Sequence, residues 1–191
     1  MSAARREIAP LVERARGGDE VARDELWRVL YGELRSLARS RRLPLHEVTA
    51  LQTTALVHEA YLKMGHGLKW EFETIGAFYV AAARAMRNIL VDEARSLGRL
   101  KRGGGGLRLR LDEGLGLCAS ETEQWLALEV ALERLELHDE QLAKLVDLRF
   151  FAGLPIHRIC RILGVSAATY HRHWSYAKSW LLREVAREMS A

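Results

Sequence analysis

The sequence predicts an all-α protein of two helical domains, and three observations carry that prediction. Apolar residues recur three and four apart through every long segment, the period of a helix with one buried face. A Gly-Val-Ser break, Gly164 to Ser166, splits two such segments near the C-terminus. Between the two parts, SLGRLKRGGGGLRLRLDEGLGL carries four consecutive glycines, Gly103 to Gly106, and, with Arg95 just before it, six basic residues fall between Arg95 and Arg110 with no acid among them. That composition has little to bury and repels itself, so it reads as a flexible cationic linker. The layout expected is a helical domain over residues 1–99, a linker over 100–121 and a helix-turn-helix domain over 122–191, with no convincing strand.

In chain order, the first helix spans about Ile8 to Arg16, with Ile8, Leu11, Val12 and Ala15 on one face, and stops at Gly17-Gly18. Asp19 then suits the N-cap of a second helix reaching Ser40, with Val21, Leu26, Val29, Leu30, Leu34, Leu37 and Ala38 as its apolar stripe. Pro44 breaks the pattern, and Leu45 to Gln52 has no clear period. A third helix runs from about Thr53 to Met64 on Leu56, Val57, Ala60, Tyr61 and Met64. After a loop with Trp70 and Phe72, a long helix from Ile75 to about Leu97 places Phe78, Ala82, Ala85, Met86, Ile89, Leu90 and Ala94 inward. Its polar side carries Arg84, Arg87, Asn88, Asp92 and Arg95. Beyond the linker, helices are expected from about Glu121 to Leu137 and from Asp139 to Phe151.

The last segment, LPIHRICRILGVSAATYHRHWSYAKSWLL, reads as a helix-turn-helix. Pro155 suits a first helical turn, where a missing amide hydrogen costs nothing. Ile156, Ile159, Cys160 and Leu163 share a face, Gly164 can take the positive φ that closes the helix, Val165 fills the turn, and Ser166 can cap the next helix. On that second helix Tyr170, Trp174, Ala177 and Leu181 point inward, leaving Thr169, His171, Arg172, Ser175 and Lys178 outward. Small, polar and cationic groups on the first turns of a second helix are what major-groove reading needs. The competing reading is a helical hairpin with a solvated basic face.

Composition narrows the function. The 191 residues are 49% hydrophobic with 3 prolines, enough to build real cores, and 29 basic against 25 acidic residues give a net charge of +4. A pI near 9.3 points toward a polyanionic partner. Cys118 and Cys160 form no C-x-x-C, so no metal or other cofactor is expected, and Cys160 reads as a small core residue. No apolar run is long enough for a membrane span, and the N-terminus has charges where a signal peptide needs apolar residues, so no membrane partner and a cytoplasmic location are expected. Enzymatic motifs fail. His58-Glu59 opens a zinc-protease pattern, but Leu62 stands where the second histidine should be, and no Lys-Ser/Thr pair follows Gly103 to Gly106.

Three stretches, ALVHEAYLKM, AFYVAAARAMRNILVDEARSLGRLKR and GLPIHRICRILGVSAATYHRHWSYAKSWL, in that order, resemble bacterial sigma factors of the extracytoplasmic-function (ECF) type over nearly the whole chain. The resemblance implies a subunit of RNA polymerase that performs no covalent chemistry: the first domain melts and reads the −10 promoter element, and the second reads the −35 element. Arg84, Arg87, Asn88 and Arg95 could then lay cations on phosphates and an amide on a base edge. Trp70 lies where such proteins hold a flipped-out base, the alternative being that it anchors its loop; for Phe78 the anchoring role is preferred. The −35 readers would be Ser166, Thr169, His171, Arg172 and Lys178. Two other functions fit the same motifs: a helix-turn-helix regulator binding duplex DNA without polymerase, and a helical interaction protein that has lost polymerase binding.

The sequence departs from the family in one place. Many ECF factors open the polymerase-gripping helix with D-A-E-D ahead of L-V-x-E; here Leu56, Val57 and Glu59 keep register while Gln52, Thr54 and Ala55 replace the acids. The polymerase-binding set implied is Gln52, Thr53, Thr54, Ala55 and Glu59. Three lost carboxylates weaken docking to a basic surface, and a phosphothreonine adds nearly two negative charges at once. The chain thus resembles the ECF subset linked to Ser/Thr kinases, with Thr54, then Thr53, as candidate phosphorylation sites; either threonine could instead simply cap the helix. Neither a kinase nor an anti-sigma partner is named by the sequence. The tether around Gly103 to Gly106 is expected to let the two domains move relative to each other until polymerase and DNA fix their spacing, the alternative being that they pack together when alone, each having apolar area to cover.

Overall fold

A computed structural model of the chain describes residues 4–40, 53–64, 72–100, 109–110, 118–119 and 122–190. The helices are α1 (Ala4–Arg16), α2 (Glu20–Ser40), α3 (Thr53–Lys63), α4 (Ile75–Leu100), α5 (Thr122–His138), α6 (Glu140–Val146), α7 (Ile156–Leu163) and α8 (Ala167–Glu188). The fold is all-α, as the 3.6-residue period predicts. Beside the helices, Leu109–Arg110 (β1) and Cys118–Ala119 (β2) form a short two-residue antiparallel ladder. The LRLRL run has the alternating period of a strand, a signal the glycines beside it obscure. Most of the expected linker, Gly103 to Gly106 included, lies outside the described residues.

Capping chemistry sets the helix ends. Gly18, at φ 90°, turns the chain after α1, and the Asp19 carboxylate accepts from the Ala22 amide at 3.0 Å and from the Arg14 guanidinium at 2.6 and 2.9 Å. The Ala22 amide, then Arg14, holds the Asp19 carboxyl below the ordinary aspartate range. Thr74 Oγ1 accepts from the Ala77 amide at 3.0 Å and starts α4. Asp139 accepts from the amides of Gln141 and Leu142 at 2.9 and 3.0 Å and starts α6. α1 begins earlier than the apolar pattern indicates and runs through Pro10, forgoing one backbone hydrogen bond there.

α6 continues into a single π turn, Asp147–Phe151, in which the Ala152 amide donates to the Asp147 carbonyl at 3.1 Å. The wider turn buries Leu148, Phe150 and Phe151 and also turns Asp147 inward. π turns of this kind often re-aim a side chain at a functional position.

The core is contiguous from α1 to α8. In the N-terminal half it centres on Trp27, whose ring lies 5.1 Å from Tyr61, 5.3 Å from Phe78 and 6.2 Å from Phe72 in edge-to-face geometry. Here α2 departs from expectation: Val21 is 72% exposed, and Ala22, Leu26, Trp27, Leu30 and Leu34 form the buried stripe. α2 packs against both α1 and α3, so its buried arc is centred between them. In the C-terminal half, Trp125, Leu128, Leu132 and Leu135 of α5 meet Leu142, Leu145, Tyr170, Ala177, Leu181 and Val185. α4 packs on α5 and on the π turn, joining the halves.

Candidate nucleic-acid interface

α7 and α8 are separated by the short turn Gly164 to Ser166, where the sequence places the break. Pro155 is the residue before α7 rather than its first helical position, Gly164 takes φ 68° and ψ 29°, and the Val165 amide donates to the Cys160 carbonyl at 2.9 Å. Ser166 Oγ accepts from the Thr169 amide at 3.1 Å and is 3.0 Å from Thr169 Oγ1, capping α8. Tyr170, Ala177 and Leu181 are buried, and Trp174 is only half-buried against the same core. Ser166, His171, Arg172 and Ser175 are exposed, with Thr169 and Lys178 half-buried beside them. Arg172 reaches Thr169 Oγ1 at 3.4 Å. No carboxylate among the described residues pairs with His171, Arg172 or Lys178, so their charge and hydrogen-bonding capacity face outward.

The polar side of α4 is in a different situation. Arg84 pairs with Glu136, approaches Glu140 at 3.7 Å, and has its Nε 3.9 Å from Asp147. Arg87 reaches both Asp147 oxygens, at 3.0 and 3.3 Å, and lies 3.5 Å from Glu136. Arg95 meets Glu129 at 2.8 Å. All these acids come from α5, α6 and the π turn. Arg87 is 8% and Asp147 0% exposed. Burial pushes the Asp147 carboxyl up to about 6, against the pull of Arg87 and Arg84. Burial likewise raises Glu129, with Arg95 opposing. Asn88 is exposed and lines, with Arg84, Arg95, Glu129 and Glu133, an open cleft of about 1280 Å³ between α4 and α5–α7.

A third cluster ties α7 to the N-terminal half. Arg158 donates to both Glu33 oxygens at 3.1 and 2.8 Å and to the Tyr79 hydroxyl at 3.3 Å, and its guanidinium carbon sits 5.3 Å from the Tyr79 ring centroid. Tyr79 donates its hydroxyl hydrogen to Glu33; burial first, then that carboxylate, raises the pKa of the phenol. Nearby, a Cβ on Gly76 would lie 3.1 Å from Ile162 Cγ2, so the Ile162 side chain of α7 packs closely against the α4 backbone there.

Sequence reasoning missed Glu33, Tyr79, Glu129, Glu136, Asp147 and Arg158. One signal was available: Glu129, Glu133, Glu136 and Glu140 stand four, three and four apart, which puts the first three on one face of α5 and the fourth at the start of α6.

Of the implied polymerase-binding residues, Thr53 opens α3, Thr54 and Ala55 are half-buried, and Glu59 is exposed. The first turn of α3 has no acid. Gln52 and Trp70 lie outside the described residues. Phe78 is fully buried, in the anchoring role preferred for it. No described helix is long and apolar enough to cross a membrane.

No curated protein and no solved structure matches the chain. The profile of one family, described as ECF sigma factor, matches residues 5–187, from the first described turn of α1 to the last of α8. Members of that family are transcription initiation factors rather than enzymes, and their partners are core RNA polymerase and promoter DNA. A match spanning nearly the whole chain, from α1 to α8, places this chain in the ECF sigma factor family.

Proposed function

We propose that the chain directs promoter-specific initiation through two reading surfaces, one in each half. The C-terminal surface is the start of α8, where Ser166, Thr169, His171, Arg172 and Lys178 read the −35 element as duplex DNA. The observation that supports this best is the outward, acid-free presentation of His171 and Arg172 on a capped recognition helix. Arginine is suited to a bidentate contact with guanine. The N-terminal surface is the polar side of α4, where Arg84, Arg87 and Arg95 hold phosphates and Asn88 meets a base edge of the −10 element, with Trp70 stacking on an unpaired base. Residues 1–99 and 122–191 act as the two reading domains, with 100–121 as the connection.

α3 is the element that grips core polymerase, through Thr53, Thr54, Ala55 and Glu59 together with Gln52. Its start lacks the acids a basic surface would attract, and a helix N-terminus favours added negative charge. Phosphorylation of Thr54, or of Thr53, by a Ser/Thr kinase supplies that charge and switches docking on. The test measures core-polymerase affinity for the unmodified protein, a kinase-treated sample, Thr54→Ala, and a variant with Gln52→Asp, Thr54→Glu and Ala55→Asp. Tighter, salt-sensitive binding by the kinase-treated and triple-acid proteins is expected. If the unmodified protein binds as tightly as the triple-acid variant, Thr54 is a helix cap and the switch is absent.

A further inference from the structure

α8 continues well past the residues placed to read bases. At about 1.5 Å per residue its 22 residues are about 33 Å long, and a major groove is only about 12 Å wide. The first turns, through Arg172, fit that width; the turns that follow must meet the phosphate ridge bordering it. Tyr176 stands there, 47% exposed, four residues and about 6 Å beyond Arg172 on the same side of the helix. A second helix holds it in place. His138, the last residue of α5, stacks on Tyr176 at 6.4 Å and 24° and on Trp180 at 5.9 Å and 13°, and its Nε2 lies 3.2 Å from the Tyr176 hydroxyl. Stacked rings from two helices fix a hydroxyl that would otherwise turn freely at the surface, so little freedom is left to lose on binding. Charge on this side favours an anion. From Thr169 to Arg183 the outward stripe of α8 carries Thr169, Arg172, Ser175, Tyr176, Ser179 and Arg183, with no acid. The acids adjoining it in sequence are occupied: Asp139 accepts from the amides of Gln141 and Leu142, and Glu184 and Glu188 pair with Arg134 at 3.1 and 2.9 Å. Arg183 is exposed, and no carboxylate among the described residues pairs with it.

We propose that the His138–Tyr176 pair is a phosphate-binding site for the duplex backbone flanking the bases read by Arg172, with Arg183, two turns further along, on a second phosphate. His138, protonated at Nε2, donates to the Tyr176 oxygen, which leaves the hydroxyl hydrogen to be donated to a phosphate oxygen. The proposal rests on the reading of α8 as the duplex-binding helix and adds what that helix grips beside the bases. Backbone contacts fix register and affinity and carry no sequence information of their own. Sequence is then left to Thr169, His171 and Arg172, and the end of α5 becomes part of the DNA-binding surface.

The test is duplex binding by the full chain at low ionic strength, on a labelled mixed-sequence duplex and on the sequences the protein enriches from a random pool. Tyr176→Phe keeps the ring and its stacking and loses only the hydroxyl. Helicity should be unchanged while affinity for both duplexes falls by the same factor, about five- to tenfold, and the enriched sequence should stay the same. The salt dependence should also stay, since a neutral hydroxyl releases no counterion, whereas Arg183→Ala should reduce that slope by about one. His138→Phe, which keeps a ring in the stack, should weaken binding too, and the double variant should be no weaker than Tyr176→Phe alone, because both act through one hydroxyl. Unchanged duplex affinity in Tyr176→Phe, or an altered enriched sequence, would overturn the proposal. A loss of core-polymerase affinity with duplex affinity intact would overturn it as well and give this surface to a protein partner. If the unmodified protein enriches no sequence while Tyr176→Phe still loses affinity for the mixed duplex, the −35 reading falls and the phosphate site stands.

Discussion

The outward face of α8 and the polar side of α4 carry the same kinds of residue, and the fold treats them oppositely. Arg172 and His171 are exposed with no acid among the described residues paired to them, whereas Arg84, Arg87 and Arg95 are each held by a carboxylate of the other half. An arginine on a helix face is therefore no guarantee of a free cation. What decides its state is the partner brought from a distant part of the chain, here sixty residues away for Arg87 and Asp147.

The largest effect expected from breaking that contrast is at Asp147. Asp147→Ala leaves Arg87 charged, buried and unpaired, and should destabilise the chain by about 3 to 5 kcal/mol in denaturant unfolding. Tyr170→Ala should cost a similar ~3 to 5 kcal/mol, since the ring is fully buried beneath α8. Trp174→Ala should cost clearly less, because only part of that side chain is covered.

The pH dependence separates Asp147 from the exposed acids. With its carboxyl raised to about 6, the folded chain holds more protons at this site than the unfolded chain between the ordinary aspartate value and that point. Its contribution therefore favours folding as pH falls through the window, and is lost as pH rises, by ~3 kcal/mol overall. Asp19, whose pKa is lowered, works in the opposite direction and loses its contribution only at more acid pH. Asp147→Asn should remove the first slope and leave the second. An unchanged stability profile between about pH 4 and 7 in that variant would mean Asp147 stays ionised throughout.

At α8 the expectation reverses. Arg172→Ala should leave stability within about 0.5 kcal/mol and weaken −35 duplex binding by roughly 1 to 3 kcal/mol. Matching losses of helicity in Arg172→Ala and Tyr170→Ala would break the distinction between outward and inward residues. Smallest of all is Lys63→Ala, which removes an exposed 3.1 Å pair with Asp92 and should cost about 0 to 1 kcal/mol.

Local signals were legible in the sequence and long-range ones were not. Gly164 with its positive φ, Ser166 as a cap and Asp19 as a cap all follow from chemistry within four residues, and helix existence follows from period. Trp27 went unrecognised as the centre of a core because α2 packs on two sides and its buried arc is offset from the stripe through Val21. The π turn escaped because Leu145, Val146, Leu148, Phe150 and Phe151 make the run across it almost continuously apolar, which hides a one-residue shift of the helical period, yet the turn places Asp147 against Arg87. The fate of Arg84, Arg87 and Arg95 needed the fold of the other half.

The measurement that bears most directly on the account is transcription from sheared bacterial genomic DNA by purified core RNA polymerase, with and without this protein, followed by mapping of RNA 5′ ends. The account predicts discrete start sites that appear only with the protein and share two upstream elements, with Arg172→Ala depleting starts selectively by the outer element. No start sites above those of core polymerase alone, together with a footprint on duplex DNA by the free protein, would contradict it.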